Sequence, residues 1–249
     1  VSKRTSEAAK ARIAAQREAL RKQDQRRRVT MIATIVVVVV VAAAFVVWSV
    51  RQGTSEKVTG GLAAATVQED GTVVMAQPGV TTPVVDVYED FQCPACKQFE
   101  ETSGATLKNL AAEGKAKVAY HVITIFTQEP TKSNSLRAAS AARCVTDGRQ
   151  WLAFHDKLYK NQPSETSSGF SVDQLITWGK EAGVTSSGFD DCVRKQGNVA
   201  AHQAYTQQVM TTQKLGGTPT VKINGKEIDS KVAFVPSDLR DAVVNAAKS

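Results

Sequence analysis

Tyr88-Glu89-Asp90-Phe91-Gln92-Cys93-Pro94-Ala95-Cys96-Lys97-Gln98-Phe99-Glu100 decides how this chain folds. Just before it, Val84-Val85-Asp86-Val87-Tyr88 is short and dense in β-branched residues, which spells a strand entered at Pro83. Just after it, Phe99, Leu107 and Leu110 recur at roughly helical spacing, with Gly104 as a point where a helix would kink or break. The two cysteines therefore sit where a strand ends and a helix begins. Unpaired backbone N–H groups of a first helical turn favour a thiolate over a thiol, so the pKa of Cys93 should fall. Pro94 occupies a position where a helix loses nothing by lacking an N–H. The spacing puts Cys96 one turn along, within reach of Cys93, so one sulfur can attack and the second can resolve a mixed disulfide.

Working outward, Thr72 to Ala76 reads as a strand leading to a turn at Gln77-Pro78-Gly79, and Lys115 to Phe126 is another β-rich run. Ser135–Thr146 and Gln150–Lys160 then read as helices parted near Asp147-Gly148. Ser171-Val172-Asp173-Gln174 spells a capping box, and Ser187 to Gln213 gives one or two more helices. Gly217-Thr218-Pro219 precedes a short strand, Thr220–Ile223, and Asn224-Gly225 is a strong hairpin turn. The stretch from Val232 to Ser249 closes with a helix that starts at Pro236-Ser237-Asp238. The order is strand, Cys-x-x-Cys, helix, strand, helical block, hairpin, helix. This α/β order is a thioredoxin-like pattern, with a helical insertion at about 131–213.

Four cysteines allow three pairings, and spacing does not choose among them. The pairing expected is Cys93 with Cys96 and Cys144 with Cys192. The second pair lies in helical text and reads as a structural staple, a second redox pair being the alternative. A metal reading is disfavoured: structural zinc wants a second closely spaced ligand pair, and Cys144 and Cys192 are 48 residues apart. His121, His155 and His202 are isolated, each read as a helix-surface or strand residue. A cysteine-protease reading is weaker still, since a thiol three residues away would trap the nucleophile as a disulfide. No metal or organic cofactor is expected.

The hydrophobic fraction of 42% and charged fraction of 22% allow a buried core and exclude a wholly disordered chain. The net charge of +7 looks like a nucleic-acid signal until it is located. All of it sits in residues 1–28, where ten Lys/Arg face three acids, so the rest of the chain is neutral and a nucleic-acid-binding body is excluded. Val29 to Val50 carries no charge. As a helix this run spans about 33 Å, the thickness of a bilayer core. It is longer than a signal-peptide core and ends without a good small-x-small site, so an uncleaved signal-anchor is expected. The basic flank places 1–28 in the cytoplasm, as a solvated or lipid-facing tail, and sends the residues beyond Val50 outside the cell membrane. Residues 51–71 read as a linker rich in Gly, Thr, Ala and Ser, and 72–249 as the folded domain.

The Tyr88–Glu100 stretch, with Gly217-Thr218-Pro219-Thr220 and Ile223-Asn224-Gly225-Lys226, resembles the DsbA-like thiol–disulfide oxidoreductases, most of all their membrane-anchored actinobacterial type. The likeness covers about residues 70–247. It implies a thioredoxin fold, with Cys93 the exposed nucleophile and Cys96 its buried partner. Pro219 would be a cis proline and Thr218 its neighbour against the active site, with Pro94 and Ala95 also meeting substrate. It implies a structural pair Cys144–Cys192, donation of disulfides to exported proteins, and reoxidation by a vitamin K epoxide reductase homologue or DsbB-like membrane protein. The chain departs from the pattern twice. Six residues before the first cysteine, where relatives carry a buried acid, stands Val87; Asp86 and Glu89 lie out of register, and neither is assigned as a catalytic acid. Pro94-Ala95 also lacks the histidine of the strongest oxidants, so the potential should be less extreme.

Overall fold

The computed structural model describes residues 56–248. The expected basic tail (1–28) and membrane span (29–50) lie outside the described residues. Among the described residues no helix is long and apolar enough to cross a membrane.

Six strands form one sheet: β1 (Ala64–Val67), β2 (Val73–Ala76), β3 (Val84–Glu89), β4 (Lys117–Val122), β5 (Thr220–Ile223) and β6 (Lys226–Glu227). Their order across the sheet is β1-β2-β4-β3-β5-β6. Only β3 and β4 run parallel, with Val85 opposite Val118 and Glu89 opposite Val122. That pairing needs a crossover, supplied by α1 (Pro94–Phe99), a π-helical turn at Glu100–Gly104, and α2 (Ala105–Ala112). The expected interruption at Gly104 is thus a π turn within a continuous helical segment. A Cβ at Gly104 would collide with the carboxylate of Glu100, so glycine here lets that acid fold back.

The helical insertion comes after β4, as α3 (Thr131–Ala142), α4 (Gly148–Lys160), α5 (Val172–Glu181), α6 (Phe189–Lys195) and α7 (Val199–Gln213). Ser171 and Gln174 form the capping box that their spelling promises. Asn224 and Gly225, both with positive φ, make the two-residue turn between β5 and β6. The end of the chain divides into α8 (Ser230–Ala233) and α9 (Pro236–Ala246), the latter opened by its proline.

Alternation along β3 sorts the two faces of the sheet. Val85, Val87 and Glu89 share one face, within or beside the main core that includes Phe91, Phe99, Leu107, Tyr120, Trp151 and Leu158. Tyr88 belongs to a second, smaller cluster with Ile123, Tyr205, Val209 and Leu215. One boundary is corrected. The stretch read as a linker, 51–71, contains β1, an edge strand paired with β2. It also contains Thr59, whose N–H donates to Asn109, and Glu56, which is ion-paired with Arg240. An alanine- and threonine-rich strand of four residues has too little hydrophobic alternation to stand out from a linker.

Cys144 and Cys192 are bonded, with Cα atoms 5.8 Å apart. Cys144 lies just past the end of α3 and Cys192 within α6, so the bridge ties two helices of the insertion. Closing a loop of this length should stabilise the fold by about 4 kcal/mol through lost chain entropy in the unfolded state. Replacing both residues by serine is therefore expected to lower the denaturant unfolding free energy by up to that amount. Unchanged unfolding curves would show the bridge to be energetically idle.

Candidate active site

Cys93 is the N-cap of α1, with extended backbone angles, and Pro94 is the first helical residue. Strand β3 ends at Glu89, and the chain turns through Asp90 before the helix starts. Asp90 organises that turn: its carboxylate accepts from the backbone N–H of Gln92 and Ile125, and from the Ser135 hydroxyl at 2.7 Å. Burial lifts its pKa to about 6 despite these hydrogen bonds. Gln162, just beyond α4, donates through its amide to the carbonyls of Phe91 and Cys93. The insertion therefore helps hold the cysteine loop.

The expected Cys93–Cys96 bond is not formed in this structure, and both cysteines are free thiols. The expectation of an exposed Cys93 is corrected: it is only 6% exposed, tucked under the Thr218 carbonyl, and Cys96 is fully buried. The Thr218–Pro219 peptide is cis, and the Thr218 carbonyl accepts from the Cys93 thiol at 3.4 Å. Deprotonation of Cys93 is favoured first by a hydrogen bond from the Cys96 thiol. Burial opposes it, while Thr218 and the backbone N–H groups of Cys96 and Ala95 assist; the net result is a pKa of about 6. The Thr218 hydroxyl is buried and has no hydrogen-bond partner among the described residues. Cys96 moves the opposite way: burial raises it well above the ordinary value, and the charges of Cys93 and Glu89 add to that. At neutral pH the pair is an outer thiolate and an inner thiol, the split that nucleophile and resolving group require.

Of the residues singled out from sequence, the structure gathers Cys93, Pro94, Ala95, Cys96, Thr218 and Pro219 into one place. Cys144 and Cys192 are elsewhere. The histidines need correction: His155 and His202 are helix residues, but they are buried rather than on the surface. His121 lies on β4, between Asp86 at 2.9 Å and the Tyr205 hydroxyl at 2.7 Å.

Sequence reasoning missed a charged network behind Cys96. Glu89 is fully buried, and its Oε1 lies 2.6 Å from His155 Nε2. His155 Nδ1 lies 3.1 Å from Asp156 Oδ1, and the Asp156 carboxylate accepts from Lys108 at 2.6 and 2.7 Å. Burial works against a charged His155. The Glu89 charge and the hydrogen bonds with Asp156 and Glu89 outweigh it and lift the imidazole to about 10. Burial lifts Glu100 to about 7, with Glu89 adding to the rise and His155 and Lys108 opposing it. Glu89, Glu100 and His155 each bring one atom within 4.8 Å of the others, a spacing that a metal ion could use. Both His155 nitrogens are already engaged with carboxylates and the Lys108 ammonium stands alongside, so the set is read as an ion-paired network. A signal for it existed. Glu89 is two residues past Val87 and so on the same face of β3, and His155 lies four residues from Trp151 and from Tyr159 on the buried stripe of α4.

A thioredoxin family model matches residues 79–240. The chain is 26% identical over 162 residues to "Putative protein-disulfide oxidoreductase RP025" of Rickettsia prowazekii, covering 65% of this chain and 57% of that one. It thus spans little more than half the length of the curated relatives it matches. Among solved structures, reduced DsbA from Mycobacterium tuberculosis is 28% identical, with a TM-score of 0.60, covering 76% of this chain and 94% of that chain. MdbA from Corynebacterium diphtheriae, a thiol-disulfide oxidoreductase, shares the fold at 18% identity and a TM-score of 0.62, covering 74% and 96%.

Proposed function

Because the chain belongs to the thioredoxin family, we propose that it is a disulfide-forming thiol–disulfide oxidoreductase working on exported proteins outside the cytoplasm. The single observation that carries the reading is the split between the two sulfurs, Cys93 brought down to about 6 and Cys96 pushed up by burial, beside the Thr218–Pro219 backbone. A stabilised thiolate makes Cys93 a good leaving group and favours the reduced enzyme, so its disulfide is readily given away. A substrate thiolate attacks Cys93 Sγ of the oxidised enzyme, and Cys96 departs and takes up a proton. A second substrate thiol then displaces Cys93 as a thiolate. The substrate leaves with a disulfide and the enzyme with a dithiol.

Location is part of the proposal. The uncharged run Val29–Val50 with its basic flank supports an anchor with the redox domain on the outer side, where exported thiols appear and disulfides persist. The dithiol would be recharged by a membrane partner, for which a vitamin K epoxide reductase homologue or DsbB-like protein is the expected chemistry.

Equilibration of the full-length chain with glutathione tests the direction. The Cys93–Cys96 potential is expected to be clearly more oxidising than the ~−270 mV of a thioredoxin. A value at or below that figure would make the protein a reductase.

A further inference from the structure

We propose that Gln92 and Gln162 are positioning residues, whose side-chain amides form a reciprocal clasp between the cysteine turn and the inserted helices and so set the reactivity of Cys93. The inference rests on the redox reading above and adds what holds its nucleophile in place.

Helix α1 begins without the usual means of fixing its first residue. An N-cap is ordinarily Ser, Thr, Asp or Asn, whose side-chain oxygen accepts from the first helical N–H groups and fixes the cap backbone. Here the cap is Cys93, with φ −76° and ψ 118°, and no side-chain capping bond is made. The sulfur has to stay available for chemistry, so the cap must be held by other groups. Pro94 supplies part of the restraint by keeping the residue before it out of the helical region. It leaves the peptide planes of the preceding turn free to tilt.

Gln162 supplies the rest. Its Nε2 donates to the Phe91 carbonyl at 2.8 Å and to the Cys93 carbonyl at 2.9 Å, which uses both of its N–H groups. The Cys93 carbonyl also accepts from the backbone N–H of Lys97 at 3.2 Å. It is therefore held from inside the helix and from outside, with both lone pairs engaged. Between the two carbonyls stands Gln92, which answers in the opposite direction: its Nε2 donates to the Pro163 carbonyl at 3.0 Å. Gln92 is fully buried, and its Oε1 has no hydrogen-bond partner among the described residues. Burying an amide for a single hydrogen bond costs free energy that an apolar side chain of the same length would avoid. What is gained is the bond to Pro163.

The far side of the clasp is anchored in the insertion. Asn134 of α3 donates through Nδ2 to the Ser167 carbonyl at 2.9 Å and accepts from the Gly169 N–H at 2.9 Å. Arg137 donates to the Gly169 carbonyl at 2.7 Å. Gly169 lies so close to the Pro163 ring that a Cβ there would collide with it. Loosening the clasp lets Cys93 drift from the Thr218 carbonyl and the Cys96 thiol, and the Cys96 thiol is the neighbour that most favours its thiolate. The titratable groups that feel the Cys93 charge are Asp90, on the turn, and Cys96, on α1. Both glutamines are neutral, so replacing them by a neutral residue adds no charge beside any of the three.

The test uses the reduced full-length chain with Gln162→Met and Gln92→Met, which keep length and neutrality and remove the donors. Alkylation of Cys93 by iodoacetamide is followed by mass against pH, with denaturant unfolding in parallel. In Gln162→Met the rate at pH 5, relative to the plateau above pH 8, is expected to fall about tenfold, the size of one lost neutral hydrogen bond. Equilibration with glutathione at pH 8 should shift about tenfold towards the enzyme disulfide, ~30 mV more reducing. The double replacement should do little more than either alone, since both act through one clasp. Gln162 is only half-buried and keeps the test available should the buried Gln92→Met chain fail to fold. A lower unfolding free energy with an unaltered alkylation profile, or rates lowered equally at every pH, would overturn the inference. An unaltered chain whose Cys93 titrates like an ordinary thiol, at about 8.5, would overturn the redox reading itself, and this inference with it.

Discussion

On the proposed function, Cys93→Ser is expected to abolish oxidation of a reduced peptide substrate, with the rate falling at least about 1,000-fold, whereas Cys96→Ala should keep a reactive Cys93 thiolate but hold no enzyme disulfide to donate. The difference arises from where the two sulfurs sit. Cys93 is the N-cap of α1, and only it is poised as an anion near neutral pH. A serine hydroxyl in its place neither ionises there nor forms a disulfide. Cys96 is buried and protonated; in donation it is the group that departs, and where the Cys93 thiolate attacks a client's disulfide it is the thiol that would resolve the bond so made. Without it, client proteins should accumulate as mixed disulfides on Cys93, separable on non-reducing gels and identifiable by mass. A Cys93→Ser chain that still oxidises the peptide would show the reactive sulfur to be elsewhere, and a Cys96→Ala chain that traps nothing would show that substrates do not pass through Cys93.

The parts of this site that can be read from sequence are those in which local chemistry and position coincide. Cys-x-x-Cys between a strand and a helix fixes both the element boundary and the electrostatics at once. Gly217-Thr218-Pro219, about 125 residues away, becomes informative only because a thioredoxin-like order of elements carries it back to the same sheet end. Asn224-Gly225 and the Ser171–Gln174 cap are likewise local, and the structure holds them as spelled. The hidden parts are non-local. Glu89 is passed over when register is counted from the cysteines, where relatives carry an acid at the position of Val87. Counted along the strand, the pleat returns Glu89 to the face of Val87, one step nearer the sulfurs. Its partner His155 is 66 residues on, in a helix whose packing no short motif announces. The π turn escapes for a related reason: Gly104 signals an irregularity, but only the inward carboxylate of Glu100 says what the irregularity is for.

The reduced protein should outlast the oxidised one increasingly as pH rises from about 5 to 9. The Cys93 thiol titrates near its ordinary 9.0 in the unfolded chain and at about 6 in the folded one. A group whose folded pKa is depressed contributes stability that is complete above the unfolded value and is lost as pH falls through the folded value. Three decades of proton affinity set an upper bound of about 4 kcal/mol, reduced by solvent screening and present only when Cys93 is a free sulfur. Cys96 acts in the other direction, but its pKa is raised, so its contribution changes only above about pH 9 and leaves this window undisturbed. His155, lifted to about 10, and Glu100, lifted to about 7, titrate in both redox states and cancel to first order in the difference, whereas Asp90, lifted to about 6 by burial and in smaller part by the Cys93 charge, adds a minor contribution near pH 6. Denaturant unfolding of the two forms at pH 5, 7 and 9 measures that difference directly. The same free energy, by linkage, is what makes the Cys93–Cys96 bond a donor of disulfides: the state left behind after donation is the better-stabilised one. Unfolding curves that keep a constant separation across this range would mean that Cys93 gains nothing as a thiolate from the fold, and the oxidising reading would lose its driving force.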